Sequence, residues 1–305
     1  MEIKRVGIIR GGTGEHYESS LKKGGDIILH IIENLSDKYK PVDILIDKKG
    51  NWHANGLPID YKDLVNKIDL AWNTIQHPDL SFLDDLYIPK IVNESILKTI
   101  KDNVSTKTYL KSIGVEIPRS IILPLYQKDF DGPQDAYVIK KAKEIFEKFS
   151  APWIVKSYTS DSNMGIHLAK TFPELVSAIE DGVEHKKSIL IEEFIAGKVA
   201  SVHTVPLFRG QDIYAFPLGN SFGTFSSIEK DKLGLIAKEL HRYIGNHYLK
   251  CDFVLNKKGK VYLLNIESTL DFKPESHFSQ VCESVGAKIH HVVDHILEKA
   301  LSKKM

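Results

Sequence analysis

The 305-residue chain has little cysteine, only Cys251 and Cys282. Two thiols cannot form a disulfide framework and their spacing matches no metal-ligand pattern, so both are expected to be buried thiols in a reducing compartment. Charge excess is lacking as well: 41 Lys and Arg stand against 40 Asp and Glu, a formal +1 with His neutral. That excludes affinity resting on a single-sign field, and no nucleic-acid or membrane partner is expected. No apolar run approaches the roughly 20 residues that span a bilayer. The start, MEIKRVGIIRGG, reads as an early strand rather than a signal peptide, so a cytoplasmic location is expected. With 20 glycines, 12 prolines and no internal repeat, collagen and low-complexity arrays are excluded too. What remains, at 42% hydrophobic and 27% charged residues, is a globular chain long enough for two or three structural units.

Residues 3–9 form an apolar β-branched run that ends in Arg10-Gly11-Gly12-Thr13-Gly14, and the residues after it have helical spacing. Further strands are expected near 41–47 and 69–75, which gives a small α/β domain with a largely parallel sheet over residues 1–96. Ligands of such sheets sit at the carboxyl ends of strands, where the glycine turn lies. Past Ile117-Pro118, helices at about 134–149 and 172–184 alternate with the strands APWIVKSY, GIHLAK and SILIEEFI. A helix at about 228–246 and the pair CDFVLN/KVYLLNIE, joined by a turn from Asn256 to Gly259, follow. Antiparallel hairpins with helices on one side make residues 97–197 and 198–305 two parts of an α+β region.

Four constellations carry chemistry. Gly11-Gly12-Thr13-Gly14 lets backbone N–H groups approach an anion at a helix start, or is simply a tight turn. A dinucleotide fingerprint fails, because Tyr17 stands where its third glycine belongs. Glu15 and His16, just beyond, are either polar ligands of a small substrate or solvated first-turn residues. Lys156 ends an apolar strand and precedes a hydroxyl-rich loop, Ser157 to Gly165. This suits a triphosphate clamp, and equally a surface hairpin with a snorkelling lysine. Asp252, Asn265 and Glu267 lie on two strands joined by a hairpin turn, and residues two apart share a strand face. Two carboxylates and an amide oxygen there are hard ligands for Mg²⁺, although a solvated sheet face has the same spacing. Last, Ile189–Gly197 is an apolar strand that stops at Glu192 and Glu193 before a glycine: a hinge able to read an adenine edge, or an ordinary charged strand end.

In this order the elements resemble the ATP-grasp superfamily, and within it the D-alanine–D-alanine ligases. VGIIRGGTGEHYESSLKKG is similar to that family's opening glycine turn and LAWNTIQ to its third strand; PWIVKSYTSDSNMGIHLAK resembles its lysine strand and phosphate loop. ILIEEFIAG resembles its hinge, and KCDFVLN with YLLNIESTLDFKPES its metal and acceptor segments. The resemblance implies a pre-ATP-grasp α/β domain over 1–96, an ATP-grasp central part over 97–197 and a C-terminal part over 198–305. It also implies ATP and Mg²⁺ as cofactors, an amino-acid-like substrate and a homodimer. Residue by residue, Lys107, Lys156, Ser160, Ser162, Gly165, Glu192, Glu193 and Ile195 would bind the nucleotide. Asp252, Asn265 and Glu267 would hold the metal, and Gly12, Glu15, His16 and Ser276 the substrate. Lys250, Ser162 and Glu15 would be catalytic.

The sequence also departs from the family pattern. Asn103 replaces a nucleotide-contacting lysine, Val199 the ribose-binding glutamate and Gln76 a histidine. Lys250 replaces the arginine, and Asp271 the glycine, that stabilise the oxyanion. The family's Glu-x-Asn reads Asn265-Ile266-Glu267, and the loop before the 228–246 helix is short. Phosphate and metal positions largely survive and substrate positions are altered. An ATP-dependent carboxylate–amine ligase with altered substrate and oxyanion positions is therefore expected; the alternative is a catalytically degenerate ATP-grasp protein that binds without turnover.

Overall fold

The structure, a computed structural model, describes residues 2–14, 16–75, 82–92, 104–158, 164–218, 223–273 and 275–302. Packing divides the chain into two compact units: Met1–Val115 with Lys198–Leu255 and Leu263–Met305, and Glu116–Gly197 with Asn256–Tyr262.

In the first unit β1 (Lys4–Gly11) leads into helix α1 (Tyr17–Asn34) and returns as β2 (Tyr39–Ile46), parallel to β1. Strands β3 (Trp52–Ala54) and β4 (Leu57–Pro58) add antiparallel turns to one edge, while β5 (Leu70–Asn73) and β6 (Lys90–Ile91) extend the other in parallel. The order is β4-β3-β2-β1-β5-β6. The β3–β4 hairpin is absent from the expectations above, although its turn is Asn55-Gly56 with φ of 49° and 82°, the pair of positive angles that Asn-Gly supplies readily. Val6, Ile8 and Ile9 of β1 are fully buried, as expected of a central strand covered on both faces.

Helix α2 (Val104–Ser112) precedes β7 (Val115–Glu116), the edge of a second sheet completed by β12 to β15 below. The second unit holds its own four-stranded sheet: β8 (Ser120–Leu123), β9 (Trp153–Ser157), β10 (His167–Ala169) and β11 (Ile189–Glu193), in the order β10-β9-β11-β8 with antiparallel pairing throughout. Helices α3 (Gln134–Lys148) and α4 (Phe172–Glu184) supply apolar stripes at three- and four-residue spacing, Val138-Ala142-Ile145 and Leu175-Ala178-Ile179. These stripes form one core with Leu123, Trp153, Val155, Ile189 and Ile191. Alternation leaves Ile122, Ile154, Lys156, Leu190 and Glu192 on the opposite sheet face.

The chain then returns to the first unit with β12 (Gly197–Pro206) and β13 (Ile213–Ala215), helix α5 (Ser227–Ile244), β14 (Leu249–Asn256), β15 (Val261–Glu267), α6 (His277–Ser284) and α7 (Ile289–Ser302). The sheet order is β13-β12-β14-β15-β7. A full capping box starts α5: the Ser226 hydroxyl accepts from Glu229 N–H and the Glu229 carboxylate accepts from Ser226 N–H. Gly245, at φ 75°, ends it. Phe278, Val281, Val292, Val293 and Ile296 of α6 and α7 share one core with Val6, Ile8, Leu70 and Trp72 of the first sheet. The Tyr39 hydroxyl donates to Asp294 at 2.9 Å and Lys38 pairs with the same carboxylate at 2.6 Å. The first and last segments of the chain are thus one folded body. The expected class, an α/β domain with a parallel sheet core followed by an α+β region, is observed.

Candidate functional site

Two groups of the expected residues gather, one in each unit. In the first unit, Tyr248, Lys250 and Asp252 alternate into and along β14, Asn265 and Glu267 lie two apart on β15, and Ser201 and His203 lie two apart on β12. Period two puts each set on one face. The intervening Leu249, Cys251 and Phe253 are fully buried on the other. Within the polar set, Asn265 Nδ2 donates to Glu267 Oε1 at 2.7 Å and reaches Asp252 Oδ2 at 3.5 Å. Lys250 Nζ lies 3.3 Å from Asp252 Oδ2 and 3.8 Å from Glu267 Oε2. Ser201 Oγ donates to the other Asp252 oxygen at 2.5 Å. Burial works against the Lys250 ammonium, but the carboxylates of Asp252, Glu267 and Asp271 outweigh it and hold its pKa above the ordinary value.

The donor chemistry of Asp252, Asn265 and Glu267 fits a hard divalent cation. Turning the Asn265 amide over would present Oδ1 beside two carboxylates. The set is lean: among the described residues no three His, Cys, Asp or Glu side chains gather as a metal-ligand group. Further oxygen ligands must come from what is bound.

In the second unit, Lys156 of β9 and Glu192 of β11 form an ion pair at 2.7 Å, with Glu192 almost fully buried. Leu190 is the register partner of Lys156, so Glu192 is its diagonal neighbour on the same face. Glu193, one residue on, turns to the other side and takes a two-pronged bond from Arg119, at 2.8 and 3.0 Å. That contact holds its carboxyl below the usual range. Ile195, half-buried, lies in the connection from β11 to β12, and Gly165 is exposed just ahead of β10.

The glycine turn is built as a turn must be. Gly11 and Gly12 have φ of 92° and 100°. A Cβ on Gly11 would run into the Ile46 carbonyl oxygen, and one on Gly12 would meet Ile75 Cγ2 at 2.9 Å. Ser20 of α1 accepts from Gly11 N–H at 3.0 Å and bonds Thr74 at 2.9 Å, tying turn, helix and β5 together. His16 occupies the N-cap position of α1. Lys107 is exposed on α2. Ser276 caps α6: its hydroxyl accepts from Ser279 N–H at 3.1 Å and donates to the Asp271 carbonyl at 3.1 Å. Asp271 itself is exposed, and its carboxylate accepts from Lys273 N–H at 3.2 Å. Glu15, Ser160 and Ser162, and likewise Gln76 and Asn103, lie outside the described residues.

Sequence reasoning missed Ser201, Arg119, and the row Tyr248–His203–His277. A signal for part of this exists: in VASVHTV and YLKCDF the polar residues recur every second position within apolar strands.

Comparison with known proteins gives one answer at three levels. Residues 111–211 match the family described as D-ala D-ala ligase C-terminus. D-alanine–D-alanine ligase B of Clostridium perfringens is 23% identical over 99% of this chain and 99% of its own. Among solved structures, D-alanyl-alanine synthetase A from Vibrio cholerae superposes with a TM-score of 0.70 at 17% identity, covering 99% of each chain. D-alanine–D-alanine ligase from Bacillus anthracis, complexed with ATP, superposes at 0.63 with 19% identity, over 99% of this chain and 98% of that one. At these identities the solved structures establish likeness of fold.

Proposed function

Because the chain is D-alanine–D-alanine ligase-like and has the ATP-grasp fold, we propose that it is an ATP-dependent carboxylate–amine ligase acting on an amino-acid-like substrate. The observation that carries this reading is the convergence of Lys250, Asp252, Asn265 and Glu267 on one sheet face. A carboxylate oxygen of the first substrate attacks the γ-phosphorus, ADP leaves, and an acyl phosphate remains. An amine then attacks the carbonyl, the tetrahedral intermediate collapses, and phosphate departs with the oxygen that the carboxylate contributed.

Lys156 neutralises the α- and β-phosphates, and Glu192 fixes the ammonium that does so. Lys107, Ser160, Ser162 and Gly165 surround the phosphates, with Glu192, Glu193 and Ile195 along the adenine. Asp252, Glu267 and Asn265 would hold Mg²⁺, which would supply charge neutralisation for the phosphates. Lys250, kept cationic by its carboxylate neighbours, stabilises the oxyanion of the tetrahedral intermediate. Gly12, Glu15 and His16 receive the first amino acid, Ser276 marks the acceptor end, and Glu15 and Ser162 act in catalysis. Functionally the chain divides at 96/97 and 197/198, and it works as a cytoplasmic homodimer.

As a ligase the chain is not an efficient D-alanyl-D-alanine synthase. Lysine lacks the planar fork of arginine. Asp271, which lies close enough to Lys250 to raise its pKa, adds negative charge where more must develop. One observation favours a second reading, binding without turnover: Lys250 and the Asn265 amide already compensate both carboxylates from within the chain. Release of phosphate from ATP–Mg²⁺ across a panel of D- and L-amino acids decides between the two. Amino-acid-dependent release supports the ligase; a thermal shift with ATP–Mg²⁺ and no release supports binding alone.

A further inference from the structure

Ser201 touches the proposed metal set without belonging to it. It lies on β12, beside β14 in the sheet, and its neighbours Ala200 and Val202 are buried on the opposite face. Its hydroxyl bonds Asp252 Oδ1 at 2.5 Å across the two strands. An ionised carboxylate can only accept, so the hydroxyl donates, and its one proton is committed there. The distance is that of a charge-assisted O–H···O⁻ bond, the stronger kind.

The two oxygens of Asp252 are therefore held differently. Oδ1 is fixed by a short side chain that stands directly on a strand. Oδ2 has looser company: Lys250 Nζ, at the end of a long side chain, lies 3.3 Å away and Asn265 Nδ2 lies 3.5 Å away. Oδ2 is also the oxygen on the side of the other two candidate ligands, because the same Asn265 nitrogen donates to Glu267 Oε1 at 2.7 Å. Turned over, the Asn265 amide would put its own oxygen between Asp252 Oδ2 and Glu267 Oε1. The chain then offers an ion one oxygen from each of three side chains.

The number of oxygens offered decides which ion fits. Mg²⁺ demands a near-ideal octahedron and keeps waters and phosphate oxygens in it, so a few single-oxygen protein ligands suit it. Ca²⁺ takes about six to eight oxygens in a looser shell and readily accepts both oxygens of one carboxylate. For Asp252 to give both, its carboxylate plane must turn until the two oxygens reach one ion, and the Ser201 bond resists that turn. We propose that Ser201 is a positioning residue that confines Asp252 to binding through Oδ2 alone and so selects Mg²⁺ over Ca²⁺. The assignment rests on the metal reading of Asp252, Asn265 and Glu267 and deepens it, and it holds whether or not the chain turns over substrate.

The test measures binding by the full chain, with calorimetric titration of Mg²⁺–ATP, of Ca²⁺–ATP and, in the presence of a chelator, of metal-free ATP. Ser201→Ala should weaken Mg²⁺–ATP binding roughly tenfold or more, the usual loss when the partner of a metal ligand is removed. It should weaken Ca²⁺–ATP binding less or not at all, so that the ratio of the two Kd values moves towards Ca²⁺, and metal-free ATP should bind as it does to the wild type. Ser201→Thr keeps the hydroxyl on a strand, where a branched side chain is at home, and should keep the wild-type ratio. An unchanged ratio in Ser201→Ala, or a ratio shifted as far in Ser201→Thr, would overturn the assignment. Equal weakening of all three forms of ATP would show a merely structural role and overturn it too. A wild type that binds ATP equally well with and without either metal defeats the metal reading itself, and the assignment with it.

Discussion

Replacing Lys156 with alanine removes a charge that pairs with Glu192 and that the proposed function also assigns to phosphate, and the two effects can be measured separately. Its ammonium lies 2.7 Å from a Glu192 carboxylate whose side chain is 6% exposed, while the lysine side chain is 27% exposed. Removing one partner of a fully buried pair costs about 3–5 kcal/mol; with the lysine a quarter exposed, the loss should fall to about 2–3 kcal/mol. The same ammonium, if it contacts phosphate, contributes about 1.5–3 kcal/mol to nucleotide binding, so ATP affinity should fall roughly 10- to 100-fold. Urea unfolding measures the first effect and calorimetric titration with ATP–Mg²⁺ the second. The double variant Lys156→Ala/Glu192→Gln deletes the buried negative charge together with its counter-ion. It should recover most of the stability and none of the affinity. A folded Lys156→Ala protein with unchanged ATP affinity, or a double variant that regains it, would refute the reasoning.

Glu267→Gln leaves Asp252 as the one carboxylate of the proposed metal set, so Mg²⁺ should enhance ATP binding less in this variant than in the wild type; an identical Mg²⁺ dependence would remove Glu267 from that set. Burial raises the pKa of both thiols, Cys282 to about 12 and Cys251 further. Neither should react with a disulfide reagent at pH 8 in the native protein, and both should react in denaturant; a fast native thiol contradicts the packing. Burial, helped by the charge of His290, pushes the His30 pKa down to about 4. Because the unfolded chain takes up that proton near pH 6.5, the stabilisation is complete above that value and is lost as pH falls towards 4, by about 3 kcal/mol in all. His30→Asn should flatten urea-unfolding stability across that interval, and an unchanged slope would show that other groups govern it.

Helices and turns were readable because local rules decide them. The stripes expected at 134–149 and 172–184 are Gln134–Lys148 and Phe172–Glu184, and the helix expected at 228–246 starts at Ser227 and stops where Gly245 must. The turn from Asn256 to Gly259 closes with a Gly259 N–H to Asn256 carbonyl bond at 3.0 Å. The face shared by Asn265 and Glu267 follows from strand alternation alone. Partners from distant segments were not readable. Glu192 was expected beside an adenine, yet its contact with Lys156 depends on β9 and β11 being register neighbours, which periodicity does not reveal. Tyr248, His203 and His277 come from the approach to one strand, a second strand and a helix start, so their alignment exists only in the folded chain. The common core of the first and last segments is of the same kind: each contributes an ordinary apolar stripe, and only the fold joins them.

The central claim, that a carboxylate is activated as an acyl phosphate before an amine displaces the phosphate, is tested most directly by isotope transfer. The panel of amino acids is supplied with both carboxylate oxygens as ¹⁸O, together with unlabelled ATP–Mg²⁺, and the released phosphate is weighed by mass spectrometry. One ¹⁸O per phosphate, in step with formation of the new C–N bond, is the predicted result. Phosphate released without ¹⁸O would mean that water, not a carboxylate, attacks ATP, and would contradict the account.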